Sequence, residues 1–530
     1  MTRKAIVMFQ NETTYERAMR SGSVEEFHSR YEKAYRGVLE AAGRHYPHVI
    51  DGKERNSGRE FEDHSPGDTS LVVGRFQKGT KEDVYDAVLA AERAFRAWSR
   101  MDLKERLDIF RRVAEIMRQE KFALSAALTL DIGKTRLEAM ADVDEAIDFV
   151  EYYRWQMEKN EGFAGTMTSP HEDEEVRSVM HPYGVWAVIC PFNFPVAITT
   201  GMTTGALVTG NTVVLKPSSP APLPVFMVYD IFRRAGIPDG VLNFVSGSGP
   251  EVGEALLRHS RISGVVFTGS KEVGYSIIKS AGRAHPIPVI AEMGGKNPVI
   301  VTENARVDDA VMGVVASAYG YAGQKCSACS RVYLHEAIYD EFSRKLVERV
   351  KGLKVGDPSD RETNLGPVIS AKAVADFERY AKMASKDGEI LVGGRRLSEG
   401  VLERGYFVEP TIAEGLTDDH YIVKNELFVP FLCMLRFKTL DDAVRRANDV
   451  EYGLTAGIFS RSEKDVEYFL DNIEAGVIYA NRRRGGSTGA MVGAQAFSGW
   501  KGSGSTGKGS GGEHYLLQFM REQSRTVCKR

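Results

Sequence analysis

The sequence predicts an α/β fold built on parallel sheets, and three observations carry that prediction. Between residues 185 and 280, the short apolar runs VWAVICPF, NTVVLKP, VLNFVSG and ISGVVFTGS alternate with amphipathic stretches at 198–208, 222–235, 252–259 and 271–280. Short buried runs separated by amphipathic helices are the mark of βαβ units. A second alternation of the same kind extends from Pro288 to about Tyr479. Glycine outnumbers proline, 52 to 19, which suits many tight strand–helix connections. A length of 530 residues implies about three or four domains at roughly 100–200 residues each.

Residues 1–45 read as polar helix, with Phe27, Tyr31 and Tyr35 forming a loose stripe that packs on the main body. From His48 to Asp68 the pattern becomes strand–turn–strand, and Asp51-Gly52 is a hairpin signal. Helices are predicted over 81–98, 103–130 and 134–156 from apolar residues at i, i+3, i+4 spacing. The polar stretch 162–177 reads as an exposed hairpin or crossover. After the two alternations, 498–512 is rich in Gly, Ser and Lys, and EHYLLQFMREQSRTV reads as a helix end followed by a strand.

The composition excludes several classes. Lys and Arg total 69 against 72 for Asp and Glu, a net charge of −3, so binding of nucleic acid by bulk electrostatics is not expected. A run of 18 apolar residues is absent, so neither is a membrane span. The first residues lack the apolar core and cleavage site of a secretory signal. The five cysteines (190, 326, 329, 433 and 528) are too few and scattered for a disulfide scaffold, and a reducing cytoplasm is the expected location.

Five segments could carry chemistry. In GYAGQKCSACS, Cys326 sits among small residues after Gln324-Lys325, where a cation would favour the nucleophilic thiolate. Most intracellular cysteines are small buried hydrophobes, and Cys190, Cys433 and Cys528 read that way. Cys326 and Cys329 form a CxxC pair. A second such pair or a histidine pair is missing, so no metal site is expected, and the context is not that of a redox motif. In IAEMGGKN, Glu292 ends an apolar run before Gly-Gly, where a partly desolvated carboxylate can act as a general base. In CPFNFP, the amide of Asn193 could donate to an oxyanion. LKPS (215–218) also ends a strand, and FTGSKEVG (267–274) places a helix N-terminus where a phosphate could sit.

In this order and spacing, the five segments resemble the aldehyde dehydrogenase family over essentially residues 45–525. The resemblance implies a Rossmann-type NAD(P)-binding domain at 46–160 and 184–287, a catalytic α/β domain at 288–480 and a small β flap for oligomerisation at 161–183 and 499–530, with 1–45 as a helical extension. It implies that Cys326 is the nucleophile, that Asn193 and the Cys326 N–H form the oxyanion hole, and that Glu292 activates water against the thioester. Family members that pass the acyl group to coenzyme A typically lack this glutamate, so an acid product is implied. Lys216, Ser219, Gly269, Ser270, Val273, Glu426 and Phe428 fall on the cofactor-binding positions, with Val429 where the family usually continues Gly-Pro. NAD is the implied cofactor. Ser219 stands where many NAD-preferring members carry Glu, so NADP is tolerated as well.

Within the family, the chain is similar to the enzymes that oxidise L-glutamate γ-semialdehyde, the open form of 1-pyrroline-5-carboxylate, to glutamate in proline catabolism. The long N-terminal extension, EAIDFVEYY, GYAGQKCSACSR and GSTGAMVGAQAFSGWKGSG carry that similarity. It places Glu145, Phe194, Lys325, Ser327 and Phe497 around the substrate, with Thr488, Gly489 and Ala490 presenting N–H donors to its carboxylate. Ala496 and Ser498 depart from the usual QPFGG, Met293 replaces a residue that is often polar, and Arg482–Arg484 reads as a solvated turn or, if it lines the cleft, as a run that favours an anionic substrate. Two other readings stand beside this one: the same chemistry on another semialdehyde or a broad range of aldehydes, and a catalytically silent relative, which the full set of catalytic residue types argues against. The expected partners are a small aldehyde and further copies of the chain, with no nucleic acid, membrane or metal.

Overall fold

The computed structural model describes residues 9–282 and 285–528; residues 1–8, 283–284 and 529–530, which fall within three of the segments delimited above, lie outside it. Two seven-stranded sheets dominate the fold. The first runs in the order Val289–Glu292, Ile262–Thr268, Val185–Ile189, Thr212–Lys216, Leu242–Phe244, His48–Ile50, Lys53–Arg55. Its first five strands are parallel and the last two pairings antiparallel. The closing hairpin turns at Asp51 (φ 56°) and Gly52 (φ 72°), the left-handed pair a two-residue hairpin demands.

The second sheet runs Glu389–Val392, Thr411–Glu414, Phe431–Phe437, Cys329–His335, Asn297–Val301, Thr455–Phe459, Val477–Ala480, parallel throughout except for its first pair. Central strands such as Thr212–Lys216, Asn297–Val301 and Thr455–Phe459 are buried at every residue, because helices cover both faces of a parallel sheet. A third sheet pairs Glu174–Pro182 antiparallel with both Met520–Cys528 and Ala164–Met167.

The helices start and stop where the sequence supplies caps. Lys81–Ser99 opens on a capping box between Thr80 and Asp83. Leu103–Ile132 opens on the Asp102 carboxylate, which accepts the N–H groups of Lys104 and Glu105, and ends at left-handed Gly133. Arg136–Lys159 packs against both Leu103–Ile132 and Ala197–Val208. Ahead of them, Thr14–Ser21 and Val24–Glu40 dock through Phe27 and Tyr31, which are buried with Phe122 and Met140. No helix among the described residues is long and apolar enough to cross a membrane.

The chain leaves the first sheet at Glu292 and enters the second at Asn297, so the carboxyl edge of one faces the amino edge of the other. Open α/β sheets bind ligands at the carboxyl ends of their strands. Asn297 fastens the junction. Its Nδ2 donates to the carbonyls of Cys326 (2.7 Å) and Ala328 (2.9 Å), and its Oδ1 accepts the Thr455 N–H (3.0 Å). Replacing Asn297 with Ala orphans three backbone groups, each worth about 1–3 kcal/mol when buried and unpaired. Chemical denaturation should show a loss of at least about 2 kcal/mol for this variant. An unchanged midpoint would mean that these groups find other partners.

Candidate active site

The residues singled out in the sequence converge on the junction of the two sheets. Glu292 ends the strand Val289–Glu292, Gly269 and Ser270 follow Ile262–Thr268, Asn193 follows Val185–Ile189, and Lys216 ends Thr212–Lys216. All four strands belong to the carboxyl edge of the first sheet. From the second sheet, Cys326 lies just before Cys329–His335, and Glu426 and Phe428 just before Phe431–Phe437.

A cavity of about 410 Å³ opens here. Cys326, Glu292, Glu145, Phe194, Lys325, Ser327, Thr488, Gly489, Ala490 and Phe497 all line it. Asn193 is buried outside the lining and donates to the Gln324 carbonyl at 3.0 Å, two residues before Cys326. The chain reaches Cys326 through a left-handed turn, with φ 49° at Tyr321 and 50° at Ala322. Non-glycine residues in that region cost roughly 1–2 kcal/mol each, so the surrounding packing holds the nucleophile's approach in place.

Burial first, then the nearby Glu426 and Glu292 carboxylates, pushes the Cys326 thiol well above its ordinary range. The expectation that Lys325 would favour the thiolate therefore fails. Its Nζ is committed to Glu138 at 2.7 Å, a carboxyl that burial raises but the Lys325 cation holds below its usual value. Burial raises Glu292 to about 8, opposed only by a hydrogen bond from the Gly499 backbone, and its Oε2 has no partner among the described residues. Glu145 is likewise raised to about 8 by burial and then by the Asp142 charge.

Ser327 couples the nucleophile segment to the loop at 487–490. Its Oγ lies 2.6 Å from Thr488 Oγ1, and its carbonyl accepts from Ser487 Oγ at 3.1 Å. Among the described residues, the backbone N–H groups of Thr488, Gly489 and Ala490 have no hydrogen-bond partner, and Gly489 is left-handed at φ 89°. These donors are free to meet an anion in the cavity. Only Arg482 departs from the solvated turn that composition suggests; Arg483 and Arg484 lie exposed in it. Arg482 is half-buried and donates to the carbonyls of Thr488 (2.6 Å) and Gly489, Arg483 pairs with Asp309 (3.0 Å), and Arg484 reaches Glu16 (2.9 Å).

Sequence reasoning missed several contributors. Lys134 is fully buried, pairs with Asp142 at 2.8 Å and sits 3.4 Å from the Phe194 ring centroid. Asp142 in turn accepts the Ala197 N–H at 2.6 Å. The available signal was the recurrence of Lys134, Glu138, Asp142 and Glu145 every three or four residues, one face of a helix. The N-terminal extension also reaches the cavity. Glu12, Thr13, Tyr15 and Glu16 line it, held by Glu12 N–H to Asp148 (2.7 Å) and Thr14 N–H to Asp144 (2.7 Å).

A dinucleotide fits the neighbouring strand ends. Lys216 is buried, its Nζ donates to the Pro217 carbonyl at 2.9 Å, and burial lowers it to about 8. Ser270 caps the helix Lys271–Ser280 by accepting the Val273 N–H, and Val273 leaves its apolar side chain half exposed. Ser219 is exposed, and its hydroxyl donates to the Gly247 carbonyl at 3.4 Å. Glu426 accepts the Gly295 N–H at 2.9 Å and is raised to about 7, chiefly by burial. Phe428, with φ 59°, meets Phe192 edge-on at 5.7 Å, and the Val429 that follows it is buried.

Residues 53–525 match the aldehyde dehydrogenase family, and the chain belongs to that family. Over 512 residues it is 39% identical to a 1-pyrroline-5-carboxylate dehydrogenase of Geobacillus sp. (strain WCH70), covering 96% of this chain and 97% of that one. Among solved structures, a 1-pyrroline-5-carboxylate dehydrogenase from Thermus with bound NAD superposes with a TM-score of 0.92 at 37% identity, covering 99% of this chain and 100% of the other. A betaine aldehyde dehydrogenase from Staphylococcus aureus, in complex with NAD+, gives 0.88 at 31% identity, with 94% and 98% covered.

The raised Glu292 carboxyl predicts a pH profile. With a value near 8, only about one Glu292 in ten is ionised at pH 7. A step in which this group accepts a proton should therefore speed up as pH rises through 8 and level off above about 9. Steady-state aldehyde oxidation from pH 6 to 10 checks this. Glu292→Gln should lose the rising limb, and a flat wild-type profile would remove Glu292 from the rate-determining step.

Proposed function

We propose that this chain oxidises L-glutamate γ-semialdehyde to L-glutamate with NAD, the closing oxidation of proline breakdown. The observation that carries the reading is the cavity itself. A cysteine and a protonatable carboxylate line it together with Thr488, Gly489 and Ala490, whose backbone N–H groups have no partner among the described residues and whose loop is bonded to Ser327 beside that cysteine. An amino-acid aldehyde needs both ends.

In this reading, Cys326 Sγ attacks the aldehyde carbon, and its proton leaves toward the ionised Glu292 directly or through one water. The oxyanion that forms is met by the Asn193 amide and the Cys326 N–H. One amide hydrogen of Asn193 goes to Gln324, which orients the group and leaves the second free. NAD, when bound, accepts the hydride that leaves the thiohemiacetal carbon. Glu292 passes that first proton to solvent and then takes one from water as the water oxygen attacks the thioester carbonyl; the C–S bond breaks, the departing thiolate takes the proton back from Glu292, and the acid is released. Thr488, Gly489 and Ala490 hold the α-carboxylate, Glu145 faces the ammonium group, and Phe194 and Phe497 flank the aliphatic chain.

The dinucleotide belongs at 46–160 and 184–287, with Lys216 and Ser219 at the adenine-side ribose, Gly269, Ser270 and Val273 at the pyrophosphate and adenine, and Glu426 and Phe428 at the nicotinamide end. A hydroxyl at Ser219 neither repels nor clamps a 2′-phosphate, so NADP serves as well. An NAD preference above about a thousandfold, roughly 4 kcal/mol, would sink that tolerance. We assign 288–480 to catalysis, and 161–183 with 499–530 to contacts between copies in a homo-oligomer. The strands there leave Met167 and Val527 exposed, and a small sheet gains stability from a partner. Five free cysteines suit a reducing cytoplasm.

The test is NADH production from 1-pyrroline-5-carboxylate beside succinate semialdehyde and propanal. A specificity constant for 1-pyrroline-5-carboxylate well above both competitors is expected, and faster turnover of the others would reassign the substrate. Cys326→Ala should abolish oxidation of every aldehyde. Gly489→Val should cut kcat/KM for the amino-acid aldehyde at least about tenfold more than for propanal, because a side chain at φ 89° disturbs only the carboxylate end.

A further inference from the structure

Arg482 makes three contacts that set it apart from the two arginines after it. It follows the strand Val477–Ala480 through Asn481, which is left-handed at φ 56°. Its guanidinium lies 4.4 Å from the ring centroid of buried Tyr479, and it donates one N–H to the Thr488 carbonyl at 2.6 Å and another to the Gly489 carbonyl. Arg483 and Arg484 instead form exposed ion pairs with Asp309 and Glu16.

The two carbonyls that Arg482 holds belong to the peptide units Thr488–Gly489 and Gly489–Ala490. A trans peptide is planar, and its C=O and N–H point in opposite directions. Fixing the carbonyls on one side therefore fixes the Gly489 and Ala490 N–H groups on the other. Thr488, Gly489 and Ala490 line the cavity, and those N–H groups have no partner among the described residues. A cation on each carbonyl also polarises the peptide and strengthens its N–H as a donor to an anion. Gly489 lacks the side chain that would otherwise resist φ 89°, so the guanidinium, with its planar fork stacked on Tyr479, sets the orientation of both units.

We propose that Arg482 is a positioning residue for substrate specificity: it touches no substrate, but it aims and polarises the two backbone donors that recognise an α-carboxylate. This rests on the carboxylate-holding role given to 488–490 above.

The experiment compares Arg482→Met, Arg482→Lys and the control Arg483→Met in the full-length enzyme. KM and kcat are measured for 1-pyrroline-5-carboxylate and for propanal, with competitive inhibition by glutamate and the Kd for NAD. Losing two well-aimed donors to a charged group predicts a KM for the amino-acid aldehyde and a Ki for glutamate both raised about 10- to 100-fold in Arg482→Met, with kcat within about threefold. Arg482→Lys, which keeps the charge but not the fork, should recover part of the loss, and Arg483→Met should match wild type. An Arg482→Met enzyme that binds glutamate like wild type overturns the proposal. So does one that loses propanal turnover and NAD binding to the same degree, since that is a general defect of folding. If glutamate fails to inhibit the wild type at all, the carboxylate-loop reading falls first, and the Arg482 proposal falls with it.

Discussion

The site depends on how closely the chain can pass from one sheet to the other. Four residues, Met293 to Lys296, join the strand ending at Glu292 to the strand starting at Asn297. Within that span, a Cβ on Gly294 would lie 2.1 Å from Glu426 Oε2, and one on Gly295 would lie 2.4 Å from the Cys326 carbonyl oxygen. The two glycines are what allow the base, the nucleophile segment and the Glu426 loop to meet at all. Asn297 then locks the arrangement through three hydrogen bonds to segments from two other strands. Proximity of Glu292 to Cys326 is thus a property of the crossover.

Burying so much charge beside a reactive thiol has an electrostatic consequence. The helix Arg136–Lys159 carries Glu138, Glu145 and Asp148 on the side that meets the cavity and the N-terminal extension and buries Asp142 as well, with Lys134 just before it. Two lysines offset the carboxylates: Lys134 takes Asp142, and Lys325 takes Glu138. Glu145 is left without a cation of its own and is held toward the neutral form, with a value of about 8. A carboxyl in that state gains most from an incoming ammonium group, which would pull its proton affinity back down. The same burial raises the Cys326 thiol and favours its protonated form, so on the proposed roles the thiol needs a base such as Glu292 to become a nucleophile.

Much of this was legible in the sequence, for definable reasons. Glu292 and Lys216 each end a short, wholly apolar run, the pattern of a buried strand whose end faces a cleft, and Cys326 stands out among small residues after Gln324-Lys325. The Asp51-Gly52 turn and the helix starts at Thr80 and Asp102 are written in local chemistry. What could not be read depends on distant partners. Lys325 seemed available to the thiol because Glu138, 187 residues earlier, is invisible from its neighbourhood. Asn297 looks like one more asparagine until the second sheet brings Thr455 to it. Arg482 sits in a basic run that composition assigns to solvent, and only the return of residues 488 and 489 onto its guanidinium gives it a role.

Selection of one aldehyde over another follows from how these parts are joined. Ser327 is bonded to Thr488, and Cys326 immediately precedes Ser327, so Cys326 and the loop at 487–490, the proposed nucleophile and carboxylate donors, form one connected unit. Their separation is therefore set by backbone and short side chains. Arg482 fixes the far end of the unit, and its stacking on Tyr479 ties that end to the strand Val477–Ala480 of the second sheet. That sheet also positions Cys326 at its amino edge. An amino-acid aldehyde whose chain spans the gap meets both ends at once, and the second contact comes at little further entropic cost. On the proposed roles, a shorter semialdehyde would reach only one of the two ends, and a simple aldehyde only the sulfur. Discrimination on this scheme is a matter of span. The departures at Ala496 and Ser498 are compatible with it, because neither residue forms part of the link between Cys326 and Thr488.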